Sequence, residues 1–364
     1  MKKIPKVPLS EKSGRLYHRY IRRKWLILLA LAALAMAAGL ASLRAGSSGL
    51  TLKEILAALA GKGTKQSSAI VWNVRMPRVA SALAVGAALA MCGCIMQNVL
   101  RNPLASASTL GVSQGASFGA AVSIICIGAG TQINAGSGAA ASLTITHPGL
   151  VTLCAFCGGI TTTILILCLS RLKGATPSSM VLAGVAVSSM FSGGTTLVQY
   201  FADDVMVATV VYWTFGNLGR AGWGEIGLIA ILTLAAFVFF FLHRWNYNAL
   251  ESGMHTAKSL GVPVSFLIPA SMAICALVTS VSVAFVGCIS FIGLIAPHIM
   301  RRLVGNDFRF LIPAAALCGS ILLLSSDIAC RVLIPPVVLP IGALTSFLGA
   351  PLFLYLIMRR ESIK

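Results

Sequence analysis

This 364-residue chain is short of carboxylates: nine Asp and Glu stand against 28 Lys and Arg. Charged residues of either sign make up 10% of it, where soluble domains carry ~25%, while 57% is hydrophobic. So few polar side chains cannot wrap that much apolar mass in a water-facing surface, and lipid is the implied solvent. The carboxylates are Glu11, Glu54, Asp203, Asp204, Glu225, Glu251, Asp307, Asp327 and Glu361, and none lies mid-way along an apolar run. That shortage argues against a proton- or sodium-coupled carrier, which works through an ionisable group or broken helix near the bilayer midplane. It argues equally against a membrane hydrolase, since no paired carboxylates and no Ser/His/Asp set are evident.

Metal and disulfide frameworks are missing too. The ten cysteines sit inside apolar segments, and although Cys154 and Cys157 have CxxC spacing, no second CxxC or His pair accompanies them. They read as small packing residues rather than ligands. The five histidines (His18, His147, His243, His255 and His298) are scattered at run ends, so neither a metal site nor a catalytic residue is expected. GKGT (61–64) echoes a phosphate loop, but Ala57, Ala58, Leu59 and Ala60 precede it on a helical pattern where the loop needs glycine and a strand. If ATP drives this protein, another chain hydrolyses it. The formal charge of +19 invites a nucleic-acid reading, but basic patches interleaved with aromatics are absent. Lys2, Lys3, Lys6, Lys12, Arg15, Arg19, Arg22, Arg23 and Lys24 instead precede the first apolar run, the pattern of a cytoplasmic anchor. A cleaved signal peptide would have a shorter charged region and a polar domain behind it.

What the chain has is long apolar runs. Segments at about 25–43, 79–98, 107–128, 149–169, 178–199, 224–242, 264–283, 288–303, 309–330 and 341–358 meet or approach the roughly 17–25 residues of a membrane helix. The expected fold is an all-α polytopic membrane protein of ten helices. With both termini in the cytoplasm, inner segments carry 20 Lys and Arg and outer segments 8, the asymmetry the positive-inside rule requires. The chain divides into a basic cytoplasmic segment 1–24, one transmembrane domain 25–358 and a cytoplasmic tail 359–364. Within the outer segment, residues 50–61 place Leu52, Ile55, Leu56 and Leu59 on one helical face, as for a helix lying along the outer surface. The Gly-, Ala- and Ser-rich stretch 129–148 reads as a loop. Runs such as GVSQGASFGAA (111–121) and AGVAVSSMFSGG (183–194) suit close helix packing, a wide pathway, or both.

Asp327 and Arg331 stand i,i+4 on the ninth run, acid first, the favourable order for a pair. Arg75 and Arg78 bracket Pro77 at the outer edge of the second. They suit either snorkelling to the interface or docking of an external partner.

Several stretches together resemble the FecCD-like permease family of ABC importers for iron–siderophore complexes, haem and vitamin B12. They include VRMPRVASALAVGAALAMCGCIMQNVLRNPLASASTLGVSQGAS (74–117), SSMVLAGVAVSS (178–189), NALESGMHTAKSLGV (248–262), VAFVGCISFIGLIAPHIMRRLVGNDFRFLIP (283–313), SSDIACR (325–331) and LPIGALTSFLGAPLFLYL (339–356). The resemblance implies a type II ABC importer permease fold and a second permease subunit, forming a homodimer or heterodimer. It also implies two cytoplasmic ATPases that use ATP and Mg, and an extracytoplasmic binding protein. The permease would sit in a bacterial cytoplasmic membrane, bind no cofactor itself and move a metal chelate by alternating access, iron–siderophore first, haem or cobalamin next. The resemblance makes Arg75, Arg78 and Arg331 docking residues for the binding protein. It makes Asn248, Leu250, Gly253, Ala257, Leu260 and Gly261, within 248–261, the surface that couples to the ATPase. The Asn-Pro-Leu turn at Asn102 and Leu104, with Thr176 and Ser178, becomes the cytoplasmic gate. Glu251, Ser252, Met254 and Val338 depart from the common pattern. The competing reading is an ATP-independent carrier or channel.

Overall fold

The computed structural model describes residues 11–46, 49–133, 142–170, 177–335 and 337–361. Helices dominate: α1 (Glu11–Arg44), α2 (Leu52–Leu59), α3 (Lys65–Ile70), α4 (Met76–Val99), α5 (Val112–Ala121), α6 (Pro148–Ser170), α7 (Pro177–Tyr200), α8 (Asp204–Thr214), α9 (Trp223–Leu242), α10 (Arg244–Glu251), α11 (Met254–Ser259), α12 (Val264–Val286), α13 (Ile292–Val304), α14 (Phe308–Val332) and α15 (Ile341–Glu361). Seven helical stretches among the described residues have the length and composition to cross a bilayer, with shorter apolar helices at Val112–Cys126, Asp204–Thr214 and Ile341–Leu356. All ten expected runs are helical over most of their length.

The axis of the bundle is α4. Most of its apolar residues are buried, including Val85, Ala88, Met91, Ile95, Met96 and Val99, because α9, α12, α13 and α14 pack against it. Glycine permits that crowding at two crossings. A Cβ on Gly93 would overlap the Gly293 carbonyl of α13, and one on Gly86 would overlap that of Gly319 on α14. In lipid, where apolar surface gives no drive to associate, such close backbone approach is what holds helices together. The small-residue runs named above divide accordingly. In α5, Gly115 and Gly119 lie against the backbone of α6 at Gly158 and Cys154, which is tight packing. In α7, Leu182, Val185, Met190, Leu197 and Tyr200 are exposed, so that helix presents an open face.

α3 and α4 form one continuous helix interrupted by a π-helical turn, Val71–Arg75. Pro77 has no N–H to give to the carbonyl four residues back. The π turn absorbs the mismatch, with the Met76 N–H reaching the Val71 carbonyl instead. The extra residue rotates Arg75 inward, where it is 5% exposed.

Several local features differ from the sequence reading. The 129–148 stretch contains a two-stranded antiparallel hairpin, β1 (Gly130–Ile133) with β2 (Ser142–Ile145), Gly130 opposite Ile145. Asp204–Thr214 is a helix that the run-length argument passed over because it is too short to span. The eighth run is helical only from Ile292, since Gly287 (φ 82°) and Phe291 (φ 67°) hold the preceding segment in irregular backbone. α2 is capped by Thr51 and Glu54 in a reciprocal capping box. Ile55 and Ala58 are buried, while Leu52 and Leu56 stay exposed, so the helix lies on the bundle by a narrower stripe than its pattern suggested.

Candidate functional site

Polar side chains gather at the two ends of the bundle. At the end assigned outside by the charge count, Arg75, Arg78 and Arg331 line one cavity of about 460 Å3, together with Ala45, Gly46, Val74 and Val338. Asp327, one turn before Arg331 on α14, organises them. Its carboxylate meets the Arg331 Nη2 at 2.7 Å and stands 3.9 Å from the Arg78 Nε. Arg331 also donates to the Ser42 and Ala45 carbonyls at the end of α1, at 3.1 and 2.6 Å, and to the Ser42 hydroxyl at 2.6 Å. Arg75 donates to the Leu43 carbonyl. Arg78 donates to the Asn217 side chain at 3.2 Å. Three cations against one carboxylate leave the cavity electropositive. Arg75 and Arg331 satisfy carbonyls at the end of α1, while Arg78 is held by Asn217. The i,i+4 pair was readable in the sequence; the third arginine's approach to Asp327 was not, since the two are far apart along the chain.

At the opposite end, α10 and α11 form a short helical pair broken at Gly253, whose φ of 117° lies where only glycine is comfortable. Leu250 and Ala257 are fully buried and anchor the pair, while Leu260 is 68% exposed and Gly261 is open. Asn248 reaches α14: its Nδ2 donates to Asp307 Oδ1 at 3.2 Å, and the Phe308 N–H donates to its Oδ1 at 2.9 Å. Asp307 is itself the N-cap of α14. Glu251 joins three segments. It accepts from the Asn98 amide at the end of α4 (2.9 Å) and from the Asn306 amide in the α13–α14 turn (2.9 Å). This residue, a departure from the common pattern, is a structural staple that sequence reasoning missed. Beneath it, the Tyr247 hydroxyl bonds to Ser271 Oγ at 2.7 Å, and burial pushes the phenol well above its usual range.

The turn after α4 starts at Arg101, which takes φ 48°. The Asn102 side chain then accepts from the Leu104 N–H at 2.9 Å, an Asx turn. Leu104 is 46% exposed. Ser106 and Thr109 cap the next turn through a 2.8 Å bond from the Ser106 N–H to the Thr109 hydroxyl. Asn102 and Leu104 therefore lie four to six residues beyond Asn98, which holds Glu251. Ser178 falls in the first turn of α7; Thr176 lies outside the described residues.

Two inner-end cations pack structurally. Lys24 is buried with its Nζ 4.1 Å from the Tyr20 ring centroid and 5.0 Å from that of Phe310. Arg302 on α13 donates to the Leu356 carbonyl of α15. His298, one turn earlier, is buried, with its ring edge-on to Phe353. Among the described residues no group of three or more His, Cys, Asp or Glu could hold a metal ion.

Comparison with known proteins identifies the family and the fold. A family model described as the FecCD transport family matches residues 33–359. A candidate ABC transporter permease protein of Methanocaldococcus jannaschii is 46% identical over 343 residues, 94% of this chain and 97% of that one. The hemin transport system permease of Yersinia pestis is 35% identical over 297 residues, 80% of this chain and 84% of its own. A vitamin B12 import system permease of Shigella boydii is 34% identical over 332 residues, 91% of this chain and 94% of its own. Among solved structures, one described as an inward-facing conformation of a candidate metal-chelate type ABC transporter superposes with a TM-score of 0.79 at 27% identity, covering 92% of this chain and 99% of that one.

Proposed function

Because the chain belongs to the FecCD transport family, and relatives include permeases of a hemin transport system and a vitamin B12 import system, we propose that it imports a bulky metal chelate, an iron–siderophore complex first. In this reading a second permease subunit completes the pathway. Two cytoplasmic ATPases, using ATP and Mg, supply the energy, and an external binding protein delivers the substrate. The permease breaks no covalent bond.

One observation carries the mechanism: a single continuous helix joins the two polar ends. Arg75 and Arg78 stand near the beginning of the Lys65–Val99 helix, and Asn98 at its end bonds to Glu251 of the helical pair below. From Arg75 to Asn98 that helix rises about 35 Å at 1.5 Å per residue, enough to cross the ~30 Å hydrocarbon core of a bilayer. The arginine-lined cavity receives acidic side chains of the binding protein. The exposed rim of Asn248–Gly261, with Leu260 at its tip, takes the push of the ATPase, while buried Leu250 and Ala257 pass it to the bundle. The turn at Asn102 and Leu104, with Thr176 and Ser178, opens or closes the inner mouth. ATP and substrate drive transport only through different affinities for the inward- and outward-open states.

The test is reconstitution in proteoliposomes with the partner ATPase and binding protein. Ferric siderophore, haem and cobalamin are offered in turn. ATP-dependent accumulation of one of them is expected. Uptake by the permease alone, without ATPase, overturns the coupled mechanism; failure of all three with active ATPase overturns the substrate class.

A further inference from the structure

A second cavity, of about 470 Å3, opens among α6, α9 and α12 at the same outer end as the arginine cluster. Its walls are apolar, from Leu153 and Phe156 of α6, Leu228 of α9 and Phe285 of α12. Side chains below it on the outward faces of α6 and α9 are exposed and uncharged: Ile164, Ile231 and Leu234. Those faces belong to helices that cross the bilayer, so the cleft opens onto acyl chains. Its depth along α6, from Pro148 to Phe156, is about two turns, or ~12 Å at 1.5 Å per residue. That takes a glycerol backbone and the upper part of one chain.

Two opposite charges line the same cleft. Arg220, in the loop before α9, rests its guanidinium 5.7 Å from the Trp213 ring centroid. Glu225 lies in the first turn of α9. Neither forms an ion pair with the other, and the Arg220 guanidinium has no hydrogen-bond acceptor among the described residues. A guanidinium matches a phosphate through paired N–H donors. A carboxylate in the same cleft repels a purely anionic headgroup and accepts hydrogen bonds from a primary ammonium.

We propose that this cleft binds a zwitterionic phospholipid with a primary-amine headgroup, its phosphate on Arg220, its ammonium on Glu225 and one acyl chain between α6 and α9. Trp213 supports the phosphate-binding arginine from beneath, at the interfacial level where indole rings sit in membrane proteins. Arg220 also borders a recess lined by Arg78 and Asp327 of the arginine cluster, but the lipid assignment rests on neither the substrate nor the ATPase reading.

Native mass spectrometry of the full-length permease, titrated with phosphatidylethanolamine, phosphatidylcholine and phosphatidylglycerol, tests it. The unmodified chain should retain phosphatidylethanolamine about tenfold more tightly than the other two, the size of one charge-assisted hydrogen bond. Arg220→Gln should weaken all three lipids, with Arg220→Lys restoring most of the loss. Glu225→Gln should erase the preference for ethanolamine over glycerol while leaving phosphatidylglycerol bound as well or better. Leu153→Trp, which fills the groove, should remove the tightly held lipid while the protein stays monodisperse. Equal retention of all three lipids by the unmodified chain overturns the proposal, as does an unchanged preference in Glu225→Gln. So does loss of binding-protein affinity, without loss of lipid, in Arg220→Gln.

Discussion

Glu251 holds two amides that belong to different helices, Asn98 and Asn306. Asn98 is 3% exposed, so deleting its carboxylate acceptor leaves the buried amide with only the longer 3.4 Å bond to the Tyr247 carbonyl. Glu251→Ala should therefore cost about 1–2 kcal/mol, read as a lower unfolding temperature in detergent. Because the same bonds tie the α10–α11 pair to α4, the ratio of substrate-stimulated to basal ATP hydrolysis in the assembled transporter should fall as well. Glu251→Gln, which keeps one acceptor oxygen but replaces the other with a donor, should recover about half of the stability. In the sequence this residue showed only as a departure from a pattern. Its partners lie on other segments, and chain spacing carries no trace of them. Asp327 with Arg331 was legible because both sit on one helix, where geometry follows from spacing. Arg78 joins them only through the fold.

Helix existence followed from composition, since a long apolar run in lipid must close its own backbone hydrogen bonds. Helix contacts did not. Gly93 and Gly293 face each other so closely that a Cβ on Gly93 overlaps the opposing carbonyl. Gly93→Ala should force α4 and α13 apart at about 3 kcal/mol or more, visible as loss of monodisperse protein on gel filtration. Gly227→Ala is the control: nothing lies within 4 Å of its added methyl, so α9 should be unharmed. The hairpin at Gly130–Ile133 and Ser142–Ile145, the helix Asp204–Thr214 and the irregular backbone before Ile292 were all invisible to run length. Each is too short for its periodicity to stand out, and each is held by neighbours rather than by its own pattern.

On the scale of the whole molecule, the charge count assigned two ends, and the fold collects the residues of each. Arg75, Arg78, Asp327 and Arg331 meet at one end; Asn98, Asn248, Glu251 and Asp307 meet at the other. The outer cluster serves both structure and the proposed docking, and a charge swap separates the two. Arg331→Asp alone places two carboxylates one turn apart in a buried setting and should destabilise the permease by about 3–5 kcal/mol. The double variant Asp327→Arg with Arg331→Asp restores an ion pair and should regain much of that stability. It moves the cation one turn inward, so affinity for the binding protein should stay depressed by tenfold or more in a pull-down from proteoliposomes. Full recovery of affinity in the swap refutes docking through Arg331.

Composition alone determined that this chain lives in lipid, because 10% charged residues cannot solvate its bulk. Run length then determined its helices, and the Lys/Arg bias set the expected orientation. Those properties are local or additive, summed residue by residue against a uniform solvent. Only the tertiary structure decided which glycines touch, which carbonyls at the end of α1 Arg75 and Arg331 reach, and why Glu251 matters. Each of these depends on two backbones meeting across long stretches of sequence, and such distances are set by packing.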